Sequence, residues 1–306
     1  MTPALAPART TQGIVLMILA MLSVPVCDGL AKYLSADYSP LFISWARYAV
    51  ACVVVLPAAG LVHGRRLFPG EGRRYHLLRT VFLVAAMTLY FLAIARIQLA
   101  TAISAFLVAP IVATALSIVV LRERMSRRKA ISLALGVLGS LVILRPGGAM
   151  DIGVLLALGA GFLFALYMIA TRQAARGSDP VKTLAFQYVL GVVLLSPQAL
   201  ATGAMPAAGD LLFFAGLGLF SAITHFLSIA AFRLADASTL APLVYVELVG
   251  ATLIGFLFFG DVPGVATIVG ASLIVAAGLI LLRRRNAATA AVELEGQPAL
   301  DARRVR

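Results

Sequence analysis

Charge is what this sequence has least of. Only 12% of its 306 residues are Asp, Glu, Lys or Arg, against about 25% in ordinary soluble domains. So few charges cannot cover the surface of a water-soluble fold of this size. A soluble enzyme, a disordered chain and a nucleic-acid-binding domain are therefore set aside. Cysteine is scarce too. Cys27 and Cys52 are the only two, and both lie in apolar stretches, so no disulfide framework is expected. The three histidines, His63, His76 and His225, are far apart and have no metal-ligand spacing, so no metal is expected. The phosphate-binding pattern Gly-x-x-x-x-Gly-Lys-Ser/Thr is missing, which argues against ATP hydrolysis by this chain. No cofactor is implied.

What is present is apolar. The hydrophobic fraction is 61% and the mean hydropathy +1.00. A bilayer core about 30 Å thick needs roughly 20 mostly apolar residues per spanning helix. Ten such stretches are predicted, at about 12–34, 39–62, 75–95, 99–121, 128–144, 150–171, 181–201, 209–231, 237–259 and 263–282. The fold class is thus an all-α polytopic membrane protein. The net charge of +12 falls in short clusters between these runs. Arg65, Arg66, Arg73, Arg74, Arg122, Arg124, Arg127, Arg128, Lys129, Arg172, Arg176, Lys182, Arg233 and Arg283 to Arg285 all lie on one set of loops. The other set holds Lys32, Arg96 and Arg145. The positive-inside bias then puts both termini in the cytoplasm. The first span lacks a cleavage site and is expected to stay in the protein. Residues 284–306 are expected to form a disordered cytoplasmic tail.

The chain repeats itself. At a shift of 140, Gly13, Leu16, Ala20, Pro40, Tyr48, Val53, Pro57 and Ala59 meet the same residue types at Gly153, Leu156, Ala160, Pro180, Tyr188, Val193, Pro197 and Ala199. Lys32 falls on Arg172. Later, Leu99-Ala100-Thr101-Ala102 meets Leu234-Ala235-Asp236-Ala237 at a shift of 135. Each repeat holds five spans, at 11–145 and 150–283. Five is odd, so the second repeat enters the membrane upside down. Secondary transporters use such inverted repeats and place the substrate near the midplane between them.

The ends of the two repeats carry a resemblance. The first has Ala95-Arg96-Ile97-Gln98-Leu99-Ala100-Thr101-Ala102, Pro110, Leu121-Arg122-Glu123-Arg124, Gly136, Gly139 and Arg145-Pro146. The second has Leu234-Ala235-Asp236-Ala237, Ala241-Pro242-Leu243, Gly260-Asp261, Gly270 and Gly278. In these the chain resembles the drug/metabolite transporter superfamily, in its EamA-type members. Where that family has Gly-Glu after the fourth and ninth spans, this chain has Arg122-Glu123 and Gly260-Asp261. The resemblance implies a bacterial inner-membrane carrier of small metabolites, with spans one, three, four, six, eight and nine around a central cavity. Spans five and ten are then packing helices, and Ser132, Gly136 and Ser140, with Ala266 and Gly270 opposite, have the small-xxx-small spacing of close helix pairs.

Charged residues inside a membrane are costly and so mark function. Asp28, Arg47 and Glu247 are the clearest, with His225 as a fourth. Asp28 and Arg47 sit at matched depth on adjacent spans, which suggests an ion pair, and Lys32 shares the helix face of Asp28. Glu247 sits about ten residues into span nine without a charged neighbour on its own helix. Tyr90 aligns with His225 at the 135 shift. Tyr245 and other aromatics could shape the cavity. Pro25, Pro57, Pro110, Pro197 and Pro242 lie inside spans, where proline bends helices. Asp28, Arg47, Tyr90, His225, Tyr245 and Glu247 are the candidate residues for substrate binding or coupling.

The expected function is a secondary transporter of an amino acid, vitamin or nucleoside-like compound, working by alternating access as a monomer or weak dimer. Its partners are the substrate, membrane lipid and a coupling proton, with no nucleic acid. An intramembrane enzyme or a flippase is the alternative, and a channel the third. An enzyme would need clustered His, Asp or Glu at one membrane face. Single cysteines introduced at Gly148 and Gly177 are expected to label from opposite sides of the membrane. Same-side labelling would overturn both the span count and the inverted repeat.

Overall fold

The computed structural model describes residues 7–70, 72–120, 127–144, 151–174, 179–202, 205–234, 243 and 245–296. They form helices α1 (Pro7–Leu34), α2 (Pro40–His63), α3 (Arg73–Ile94), α4 (Leu99–Phe106), α5 (Ala109–Val120), α6 (Arg127–Leu144), α7 (Ile152–Ala174), α8 (Pro180–Thr202), α9 (Leu211–Leu234), α10 (Val246–Phe259) and α11 (Val265–Gly296). No strand occurs among the described residues. Among the described residues, seven stretches are long and apolar enough to cross a bilayer. Three shorter apolar helices, Ala130–Leu144, Val246–Phe259 and Val265–Ile280, stand at the places of the fifth, ninth and tenth spans.

Local chemistry sets the ends of these helices. Ser39 caps α2 by accepting from the Leu41 amide at 3.3 Å, and Pro40 follows at the first turn, where its missing N–H costs nothing. Asp179 caps α8. Its Oδ1 accepts from the amides of Val181 (2.9 Å) and Lys182 (3.1 Å) and lies 3.0 Å from Nε2 of His63. Burial pushes this carboxyl up, but the two amides and His63 outweigh it and hold it below the usual carboxylate value. The cap's charge therefore stabilises the fold at neutral pH, and this is lost as pH falls through the lowered value. The fourth span breaks into α4 and α5 around Leu107 and Val108. Pro110 has no N–H to give the Phe106 carbonyl, four residues back. The α7 backbone packs against that carbonyl at Gly161, where a Cβ would come within 2.8 Å of it. Pro25, Pro57 and Pro197, by contrast, sit inside unbroken helices. Pro242 lies outside the described residues. The last helix runs on to Gly296, past residue 284 where a disordered tail was expected. Its Ala- and Glu-rich stretch is good helix former.

The helix packing has a two-fold pattern. Taken in order, α1, α2, α3, α4/α5 and α6 correspond to α7, α8, α9, α10 and α11. The α3–α7 interface then has its counterpart in α9–α1, α2–α9 in α8–α3, and α1–α10 in α7–α4/α5. The pairs α2–α8 and α6–α11 are their own counterparts, so the pseudo-axis runs through them. The rings of Tyr48 and Tyr188, matched in the repeat, accordingly meet each other, with centroids 5.8 Å apart. At the other self-paired crossing a Cβ on Gly139 would lie 2.8 Å from the Gly270 carbonyl and one on Gly270 would lie 2.7 Å from the Gly139 carbonyl. Ile274 covers Gly139 and Ile143 covers Gly270. Ser132 donates to the Ala277 carbonyl at 2.8 Å across the same pair. Of the expected small residues, Gly136 faces Ile111 of α5 instead, and Ser140 bonds its own helix at the Gly136 carbonyl.

Outside and inside are reversed relative to a soluble protein. Val53, Leu138, Phe226, Leu253 and Phe258 are exposed, whereas Asp28, Arg47, Arg79 and Glu247 are buried. Such an apolar exterior is suited to lipid. Because the α6–α11 crossing has backbone against backbone, Gly139→Ala and Gly270→Ala should each cost about 1–3 kcal/mol through overpacking. In detergent-purified protein both should melt below the parent. Gly60→Ala, with nothing within 4 Å of its Cβ, should not. Equal melting of all three would contradict the close crossing.

Candidate functional site

Two polar clusters occupy the interior. The first joins α1, α3 and α10. Asp28 of α1, 3% exposed, accepts a hydrogen bond from the Tyr90 hydroxyl of α3 at 3.0 Å. Glu247 of α10 is 8% exposed and lies within electrostatic range of both Asp28 and Tyr90. It forms no hydrogen bond or ion pair with a described residue. Glu247 is also not midway along a continuous helix, as the sequence suggests, since α10 begins at Val246. Its carboxyl therefore sits in the first turn of α10, directly after Tyr245, whose φ of −71° and ψ of −11° are already helical. Pro25 of α1 packs on Gly250 of α10, a Cβ there falling 2.7 Å from the proline ring. That close approach holds Asp28 and Glu247 on facing helices.

The second cluster joins α2, α8 and α9. Arg47, 7% exposed, donates from Nε to Ser221 Oγ at 3.0 Å. Ser221 Oγ also lies 3.2 Å from the Tyr188 hydroxyl. The guanidinium stands over Phe91 and Tyr48, 5.4 and 5.7 Å from their centroids. His225, one turn after Ser221, bonds through Nδ1 to the Ser221 carbonyl at 3.0 Å and packs edge-on to Tyr188 at 5.9 Å. Cation–π contacts and hydroxyls thus share the guanidinium's charge in place of a carboxylate.

Five of the six candidates therefore fall into these clusters, Asp28, Tyr90 and Glu247 in one, Arg47 and His225 in the other. The expected partners differ. Asp28 and Arg47 attract one another but do not form a contact ion pair. Tyr90 satisfies the first and Ser221 the second. Lys32 does not turn back to Asp28. It pairs with Asp261 at 3.1 Å, donates to the Ile97 carbonyl at 2.7 Å and stands over Phe259. A helix-ending turn sets this up. Gly260 has φ +65°, its amide bonds the Phe256 carbonyl at 3.1 Å, and the Asp261 amide bonds Gly255 at 2.9 Å. The first of these bonds is the C′-to-C3 bond of an αL cap, and the turn delivers the Asp261 carboxylate to Lys32. Tyr245 joins neither cluster. Its phenol lies on Gly278 of α11, filling the space a side chain there would need.

Sequence reasoning missed Ser221 and Arg79. Ser221 is an ordinary hydroxyl in an apolar span and is revealed only by what reaches it. Arg79 stands four residues into its expected span, a depth at which arginine ordinarily snorkels to the interface. It is 5% exposed and bonds inward, to Tyr167 and Thr171. No group of three or more His, Cys, Asp or Glu able to hold a metal occurs among the described residues.

Comparisons with known proteins agree with this architecture. The chain is 27% identical to a riboflavin transporter of Vibrio cholerae, over 86% of this chain and 90% of that one. It is 24% identical to an S-adenosylmethionine uptake transporter of Rickettsia prowazekii, over 88% and 92%. A protein of known crystal structure, 19% identical, superposes with a TM-score of 0.62 and covers 90% of this chain and 98% of its own, so the fold is shared. The pattern of the EamA-like transporter family matches twice, at residues 11–145 and 151–283. The chain belongs to the EamA-like transporter family, and it is a multi-pass membrane transporter of a small metabolite, not an enzyme.

Proposed function

We propose that the protein is a secondary carrier in a bacterial inner membrane, working by alternating access with both termini in the cytoplasm, and that Asp28, Tyr90 and Glu247 receive a cationic group of the substrate or a coupling proton. The observation that carries this is Glu247. It is a buried carboxyl facing a second buried carboxyl, with no bonded partner among the described residues. A carboxylate in so apolar a setting is costly unless a cation or a proton neutralises it. Tyr90 fixes one oxygen of Asp28 and leaves the rest of the acidic pair to the incoming group. Arg47, held by Ser221, lies within electrostatic range of Asp28. The basic loop residues support the orientation, and the bacterial relatives support the inner membrane. The carrier acts as a monomer or weak dimer.

Of the compounds that name the relatives, S-adenosylmethionine suits the acidic pair better, because it carries a sulfonium and an ammonium group. Riboflavin is neutral. The carrier is thus read as taking a cationic metabolite with a flat heteroaromatic ring. In proteoliposomes, Glu247→Gln should weaken S-adenosylmethionine binding at least tenfold, as expected when a charge-assisted hydrogen bond worth about 1.5–3 kcal/mol is lost. If the carboxyl instead carries the coupling proton, exchange should persist while net transport loses its pH dependence. Unaltered affinity and unaltered pH dependence in folded Glu247→Gln would refute both versions.

A further inference from the structure

At the other end of α3 from Tyr90 lies a buried charge that the acidic cluster does not use. Arg79 precedes Tyr90 by 11 positions, roughly 16 Å of helix at 1.5 Å per residue. Its Nη2 donates to the Tyr167 hydroxyl at 2.9 Å and its Nε to Thr171 Oγ1 at 3.1 Å. The guanidinium stands 5.0 Å from the Tyr167 ring centroid. The third nitrogen, Nη1, is buried and has no hydrogen-bond partner among the described residues. Arg79 is in neither of the contact ion pairs found among them. Arginine keeps its charge at any physiological pH and presents a rigid planar fork of donors. Here two hydroxyls fix the plane of the fork, and Nη1 is left without a hydrogen-bond partner among the described residues. Leaving such a donor unpaired in an apolar interior is costly, and a carboxylate or phosphate bound at Nη1 would pair it.

The repeat supplies an internal control. Arg79 and Tyr167 join α3 to α7, and the equivalent interface is α9 with α1. At the shifts of 135 and 140, Arg79 falls on Phe214, Tyr167 on Cys27 and Thr171 on Ala31. All three counterparts are buried in one apolar cluster. The same crossing is thus held elsewhere in this chain by apolar packing and a thiol bond from Cys27 to the Leu217 carbonyl at 3.5 Å, so helix packing does not require the arginine. An aromatic row also links Arg79 to the acidic cluster. From Tyr167 it passes to Phe164 (5.1 Å), Phe106 (5.0 Å) and Tyr90 (5.1 Å between centroids), and Tyr90 bonds Asp28.

We propose that Arg79, held by Tyr167 and Thr171, is the subsite for an anionic group of the transported metabolite, a carboxylate or a phosphate, and that the aromatic row carries its flat ring between this basic pole and Asp28. The proposal rests on the carrier reading above and adds the anion. The test uses two probe pairs on the full-length protein, each pair differing by the anionic group. They are S-adenosylmethionine against its decarboxylated form, and riboflavin 5′-phosphate against riboflavin. Affinities come from ligand-induced melting shifts, and uptake from proteoliposomes. The parent protein should favour the anion-bearing member of at least one pair tenfold or more, and which pair responds identifies carboxylate or phosphate. Arg79→Gln should bring that ratio toward one, and Arg79→Lys should keep part of it. A triple variant, Arg79→Phe with Tyr167→Cys and Thr171→Ala, copies the α1–α9 crossing and keeps the test open if Arg79→Gln fails to fold. It too should lose the ratio. An unchanged ratio in the folded variants overturns the subsite, as does an equal loss for both members of a pair. Binding by the parent without preference overturns the subsite and leaves the carrier reading standing. If no probe binds and none is taken up, the carrier reading fails for these classes and the subsite fails with it.

Discussion

A charge inside a hydrocarbon layer has no water to turn to, and the arrangement of this protein follows from that constraint. Its exterior is given over to Val, Leu, Ile and Phe. Its interior charges stand where helices meet, and each has found a particular solution. Asp28 takes a phenol, Arg47 a serine and two ring faces, Lys32 a carboxylate presented by a helix cap, and Arg79 two hydroxyls and a ring. Glu247 differs, because among the described residues it has no hydrogen-bond or ion-pair partner.

Two-fold repetition explains most of the packing and isolates the chemistry. Residues near the pseudo-axis meet their own counterparts, as Tyr48 meets Tyr188 and Gly139 meets Gly270. These contacts are structural, because any protein built on such an axis must solve the same self-contact. Away from the axis the two halves are free to differ, and there the buried polar groups differ. Tyr90 in one half answers to His225 in the other, and Arg79 answers to Phe214. Tyr90 bonds the buried Asp28 whereas His225 stands beside the buried Arg47, and Arg79 is itself a charge where Phe214 is apolar, so a symmetric scaffold places different charges in its two halves.

The breaks in the helices serve the same purpose. Pro110 interrupts the fourth span beside Phe106, and Gly161 lets α7 close on the freed carbonyl. Glu247 stands at the start of α10 instead of within a long helix. Gly260 turns the chain so that Asp261 reaches Lys32, which ties the α10–α11 turn to α1 and to the Ile97 carbonyl before α4. That clasp joins the two repeats at one end of the molecule through groups that separate without breaking a helix.

What the sequence by itself determined was whatever depends on position along the chain. Apolar length decides where helices cross, a five-span repeat decides that its halves are inverted, and depth within a span decides that Asp28, Arg47 and Glu247 are buried. Those properties need no partner. Partner choice depends on rotation about each helix axis and on which helices become neighbours, and the tertiary structure alone decided that. Asp28 and Arg47 lie on consecutive helices, yet each bonds a residue on a helix that does not follow or precede its own in the chain, because α1 meets α3, and α2 meets α9, more extensively than α1 meets α2. Lys32 reaches Asp261 across 229 positions. Tyr245 rotates onto Gly278, and Arg79 turns inward because Tyr167 and Thr171 of α7 lie beside it. A single helix carries no information about such a rotation until the opposing repeat is in place.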